Sequence, residues 1–167
     1  MAVVIEVSFD DVSPRESFEE LRKFGEDQSG LMGNIADAMR TQTMERIGKT
    51  KTDPDGRKWT ANKAGTPTLV ATTSLLTTIG ARSGPDYAQV GSAMPYAAIH
   101  QTGGEITRTY RRGLAFTSAG TFSTQWTIKI PARPYLGIGA DDREDIENLV
   151  GVALVAALKP KGGAGDA

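Results

Sequence analysis

Between Leu31 and Ile47 one face of the chain returns every fourth residue, through Leu31, Ile35, Met39, Thr43 and Ile47. Met32, Ala36 and Met44 widen the stripe. This spacing fits an α-helix packed along one side and does not fit a strand. The predicted helix runs from about Ser29 to Ile47, with Gly48 placed to cap its C-terminus. A second helical stripe closes the chain: Ile146, Leu149, Val150, Ala153, Leu154, Ala157 and Leu158. Asp141 or Asp142 is its expected N-cap, and the acids Asp141, Asp142, Glu144 and Asp145 complement its dipole. Lys159-Pro160 ends it.

Ahead of the first stripe, Val3, Ile5, Val7 and Phe9 alternate with Val4, Glu6 and Ser8, the period of a half-buried strand. Ser13-Pro14-Arg15-Glu16 is a helix start, with Ser13 and Glu16 as capping partners and Pro14 at the first helical position. A short helix to about Phe24 follows, with Phe18, Leu21 and Phe24 on its inner side and Gly25 at its end.

The region between the two stripes is punctuated instead. Asp53-Pro54-Asp55-Gly56 has the chemistry of a tight turn. Trp59, alone in a polar stretch, is expected to anchor its loop on the core or on a neighbour. Leu69–Ile79 reads as a short helix or turn. Gly84-Pro85-Asp86 leads into a strand at about 87–91, and Met94–Gln101 reads as helical up to Gly103-Gly104. Residues 105–130 read as an extended hairpin that goes out through Ile106–Phe116, turns at Ser118-Ala119-Gly120, and returns through Phe122–Ile130. The predicted class is α+β: a small antiparallel sheet with a long hairpin, covered on one face by N-terminal and C-terminal helices. One domain is expected over 1–160, followed by a flexible Gly-rich tail at 161–167.

The residues needed for bond-making chemistry are scarce. The chain has no cysteine and a net charge of −1, so thiolate chemistry and an overall basic field for nucleic acid are both excluded. The opening MAVVIEVSFDD lacks a basic region ahead of its apolar residues, so no signal peptide is expected, and no run is long enough to span a bilayer. His100 is the one histidine. Lacking a second histidine or a cysteine partner, it reads as a structural residue fixing the turn at Gly103 and Gly104 rather than as a general base. Asp53 and Asp55 lack the spaced acids of a calcium loop, and neither Gly103-Gly104 nor Gly137-Ile138-Gly139 forms a phosphate loop. No catalytic, metal or cofactor site is expected, and the chain reads as a non-enzyme. Arg108, Tyr110, Arg111 and Arg112 form the local basic–aromatic cluster, open to three readings: a protein partner, nucleic acid or a solvated tip. Arg133 between Pro131 and Pro134, followed by Tyr135 and Leu136, has the makings of a rigid docking edge. The bland alternative is that Arg133 satisfies carbonyls at the end of the sheet.

Four segments together resemble the phage virion morphogenesis family, the Mu-like tail-completion group. Pro54-Asp55-Gly56-Arg57-Lys58-Trp59 is similar to its PDG-x-x-W segment. Leu69–Ile79 is similar to L-x-x-T-G-x-L-x-x-S-I, with Thr73 in place of the usual glycine and Thr78 in place of the usual serine. Val90-Gly91, then Tyr96-Ala97-Ala98-Ile99-His100-Gln101 and Gly103-Gly104, resemble a vG…YAaiHQ-x-GG segment. Ile130-Pro131-Ala132-Arg133-Pro134-Tyr135-Leu136-Gly137 resembles iPARPflG. The resemblance implies a structural virion protein without catalysis, made in the host bacterial cytoplasm and placed at the head–tail junction. It implies partnership with other copies in a ring, commonly a hexamer, and with neck and tail neighbours: a connector or stopper, a tail terminator or the tail tube. DNA would pass through the lumen without specific binding, and no membrane is involved. Tail terminator and head-completion stopper are the alternative placements, with a nucleic-acid-binding module further behind.

Overall fold

The computed structural model describes residues 14–62, 65–70, 74–107, 114–118 and 121–158. The expected strand at 3–9, the cap at Ser13, and Arg108, Tyr110, Arg111 and Arg112 lie outside them, as do the turn residues Ala119 and Gly120 and the tail 161–167. Helix α1 spans Pro14–Glu26 and α2 spans Ser29–Glu45. Helix α3 is a single turn, Ser74–Thr77. Strands β1 (Ile79–Ser83) and β2 (Ala88–Ser92) form an antiparallel hairpin. Helix α4 (Ala97–Thr102) leads into β3 (Gly104–Thr107), β4 (Leu114–Ser118), β5 (Thr121–Gln125) and β6 (Thr127–Ile130). Helix α5 spans Ala140–Leu158. The architecture is α+β, with two-stranded antiparallel ladders and flanking N- and C-terminal helices.

Leu31, Ile35, Thr43 and Ile47 are buried, as the four-residue stripe requires. The helix does not stop at Gly48: Arg46–Thr50 continue it as a wider π-helical turn, and Lys51, in the left-handed region at φ 58°, ends it. That widening keeps both Arg46 and Ile47 buried. Helix α1 likewise runs past Gly25. Its expected inner residue Phe18 is 70% exposed, and Ser17 is buried instead. One residue is about 100° of helix rotation, so the side that faces the body carries Ser17, Leu21 and Phe24 and turns Phe18 to solvent. Leu69–Ile79 was expected as one short helix or turn; its end is instead the start of β1, a strand with no β-branched residue after Ile79.

Helix α2 crosses both strands of the β1–β2 hairpin, and α5 packs beside α2 with α1 against it. The buried core gathers Ile47, Leu75, Ile79, Ala97 and Tyr135, with Met44, Trp59, Val90, Met94 and Leu136 packed around it. Segments far apart in sequence therefore meet at one point, where α2 ends and the 131–137 stretch begins.

The 105–130 hairpin is present as two ladders. Thr107 pairs with Thr127, and the next recorded pair is Leu114 with Gln125. Six residues, 108–113, thus separate the ladders on the outgoing side, where the returning side uses Trp126 alone. The expected outgoing and returning halves of the hairpin are thus paired in both ladders.

Candidate assembly surface

The proline-framed stretch 131–137 is held from three sides. From α4, the Gln101 side-chain amide accepts the backbone N–H groups of Tyr135 and Leu136 at 3.0 Å each and donates to the Leu136 carbonyl at 2.8 Å. It takes the place that a neighbouring strand would fill. From the loop after the 53–56 turn, the Trp59 indole N–H donates to the Pro134 carbonyl at 3.0 Å. From within, the Tyr135 hydroxyl donates to the Ala97 carbonyl at 3.2 Å. The Arg133 N–H donates to the His100 carbonyl at 2.8 Å, and its guanidinium donates to the Thr60 carbonyl and to Asn62 Oδ1 at 3.0–3.2 Å. Gly103 makes the approach possible: its φ is +70°, and a β-carbon there would stand 2.7 Å from the Ala132 nitrogen.

Of the expected site residues, Trp59, His100, Gly103, Gly104, Arg133, Tyr135 and Leu136 thus converge on one cluster. Within it, Arg133 is 6% exposed and Tyr135 1%. Their polar groups are satisfied inside the chain, so they shape the surface from beneath. Desolvation pulls the Arg133 guanidinium below its ordinary pKa and pushes the Tyr135 phenol above its own.

His100 sits against this cluster with its ring edge-on to Tyr96 and its Nδ1 buried without a hydrogen-bond partner. Burial, and then the charge of Arg133, hold its pKa below the ordinary 6.5. The folded chain therefore resists a proton that the unfolded chain accepts. Stability from this residue is complete above pH 6.5 and declines as pH falls toward the lower folded-state value. Thermal melts from pH 7.5 to pH 5 should show the wild type losing more stability than His100→Gln. Parallel profiles for the two would rule this role out.

Sequence reasoning missed one buried polar contact between distant elements. Arg46 and Asp142 form a buried ion pair, and Arg46 also donates to the carbonyls of Tyr135 (3.4 Å) and Gly137 (3.1 Å). Asp142 was expected first as a helix cap and a dipole-complementing acid, not as half of a buried ion pair. It lies inside the first turn of α5 and reaches back to accept the Gly139 N–H at 2.6 Å. Arg46 carries no local signal, since its partner is 96 positions away. The ion pair ties α2 to α5 and fixes the end of the 131–137 stretch.

The base of the 105–130 arm has two unlike sides. Glu105 and Lys129 form an ion pair at 3.1 Å, and the hydroxyls of Thr107 and Thr127 lie 3.3 Å apart on the same side. Strand alternation puts Ile106 and its partner Ile128 on the other side, with Trp126 two positions away. Trp126 is 62% exposed and Ile106 39%.

All four sequence motifs therefore meet in space: the loop bearing Trp59, the segment bearing Leu75 and Ile79, the helix bearing Ala97, His100 and Gln101, and the stretch bearing Arg133 and Tyr135. The family model for phage virion morphogenesis proteins matches residues 11–155, which includes all of them. The chain belongs to the phage virion morphogenesis family. No curated protein and no solved structure matches it. As a virion morphogenesis protein it is structural, not catalytic. Among the described residues no group of acids and histidine is placed to hold a metal, and no helix is long and apolar enough to cross a membrane.

Proposed function

We propose that this virion morphogenesis protein is one subunit of a ring at the neck of a tailed phage, where it completes the tail and joins it to the head. The family match over residues 11–155 carries this reading. Two structural features support it. The body is braced by buried polar contacts that hold 131–137 rigid, so a surface built over Trp59, Arg133, Tyr135 and Leu136 is preorganised for a partner. The arm offers a second, different surface. A subunit with two unlike patches repeats head to tail and closes into a ring when its rotation allows. Its partners are then other copies of itself and the neighbouring neck and tail proteins, with DNA passing through the lumen.

Deleting the gene tests the placement. Electron microscopy of the lysate should show filled heads and separate tails, with infectious particles reduced by orders of magnitude. Particles joined in normal numbers would remove the neck assignment.

A further inference from the structure

Each strand of the β1–β2 hairpin has one edge with no strand beside it among the described residues. The ladder shows which groups face outward there. The Gly84 N–H donates to the Tyr87 carbonyl at 2.9 Å, so that pair points inward, and Arg82–Gln89 and Gly80–Gly91 follow it at every second position. The pairs between them, Ile79–Ser92, Ala81–Val90 and Ser83–Ala88, turn their N–H and C=O groups away from the hairpin. Arg40 on α2 takes the Ile79 carbonyl at 3.1 Å. Among the described residues no hydrogen bond reaches the outward groups of Ala81 and Ser83 on β1, or those of Ala88 and Val90 on β2. None of these four residues is buried.

A bare edge is a template for another strand, and folded chains guard one with proline, charge or a covering element. The guards are thin here. Pro85 stands in the turn, and Arg82 is the one charged side chain in the two strands. Alternation places Arg82 and Gln89, with Gly80 and Gly91, on the face opposite Ile79 and Val90, where they shield neither edge. Gly80 and Gly91 lie opposite each other with open space over both, so nothing there keeps a second backbone away.

The two edges complement each other. One presents Ala81 and Ser83, the other Val90 and Ala88, at the same two-residue spacing and in opposite directions. We propose that the β1 edge of one copy adds to the β2 edge of the next copy, with Ala81 opposite Val90 and Ser83 opposite Ala88. Each pair exchanges both its main-chain hydrogen bonds across the contact. A neighbour set alongside in the same sense brings its β2 up antiparallel to β1, the stabler arrangement. Pairing β1 with β1 about a two-fold axis would leave both β2 edges bare. Head-to-tail addition covers both kinds of edge with a single contact, and a closed ring has no edge left. The contact rests on the ring reading above and names the atoms that hold it.

The chain has no cysteine, so introduced ones report the pairing. Across the contact Arg82 and Gln89 fall opposite each other at a non-hydrogen-bonded position, where α-carbons lie about 4.5 Å apart, within disulfide reach. Full-length Arg82→Cys and Gln89→Cys chains are expressed alone or together, then oxidised at a concentration where wild type sediments as an oligomer. The disulfide-linked dimer should form at least about tenfold faster in the co-expressed sample than in either variant alone. Equal rates in all three samples, or Arg82→Cys linking chiefly to itself, would overturn the head-to-tail edge contact. Ser83→Pro gives a second reading: it removes an outward N–H and spares the inner ladder. With its folding verified by circular dichroism melts, it should associate at least about tenfold more weakly in sedimentation velocity. Unchanged association in a folded Ser83→Pro would also overturn the contact, and wild-type oligomers would then leave the ring standing. A wild type that is monomeric at every concentration would overturn the contact too, while the neck placement is judged separately by the deletion phenotype.

Discussion

Arg46→Met is expected to lower folding stability by about 3–5 kcal/mol, the usual result of removing one member of a buried ion pair. For a chain of this size that corresponds to a fall in melting temperature of about 6–20 °C. Removing the guanidinium leaves Asp142 charged and almost fully enclosed, with only the Gly139 N–H as partner. It also strips the Tyr135 and Gly137 carbonyls of their donor. Replacing both partners, as Arg46→Met with Asp142→Leu, removes the stranded charge, so the double variant should recover much of the loss. Urea unfolding of the single and double variants checks this. A loss below about 1 kcal/mol in the single variant would place the pair among exposed ones of little worth.

Tyr135→Ala should cost about 3–5 kcal/mol as well, by a different route. Its ring is among the most fully enclosed side chains of the molecule, packed with Ile47, Leu75, Ile79 and Ala97. Truncation opens a cavity where helix, strand and loop meet, and rigid neighbours cannot collapse into it. Tyr135→Phe keeps the ring and loses only the hydrogen bond to the Ala97 carbonyl, at a cost of about 1 kcal/mol. The ratio of the two losses distinguishes packing from hydrogen bonding. Equal losses would mean that the hydroxyl, not the ring, holds the segment.

The helices were legible because their periods are local. Leu31 to Ile47 names its own inner face, and Ile146 to Leu158 names the general course of α5. Phe18 misled because α1 is short: its best-buried position is Ser17, and size pointed to the wrong neighbour. Strand β1 hid in Ile-Gly-Ala-Arg-Ser, where neither alternation nor any β-branched residue after Ile79 marks it. At the site, Trp59, His100 and the 131–137 stretch were each visible as isolated oddities. Their joining was not, because Gln101 acts through a side-chain amide that imitates a strand, and nothing in its local pattern announces that. The Arg46–Asp142 pair was beyond reach for a simpler reason. Each residue looks like ordinary surface charge until the chain folds back across 96 positions.

That long return has a consequence for production in the infected cell. During synthesis Arg46 emerges well before Asp142, and the core around Ile47 and Leu75 stays open until residues 131–137 leave the ribosome. Contacts so widely spaced in sequence form late. A polypeptide broken off before residue 131 would keep a stranded guanidinium and an unfilled centre, and would fall to cellular proteases rather than enter a particle. The same salt link that stiffens the finished subunit thereby acts as a length check on each copy.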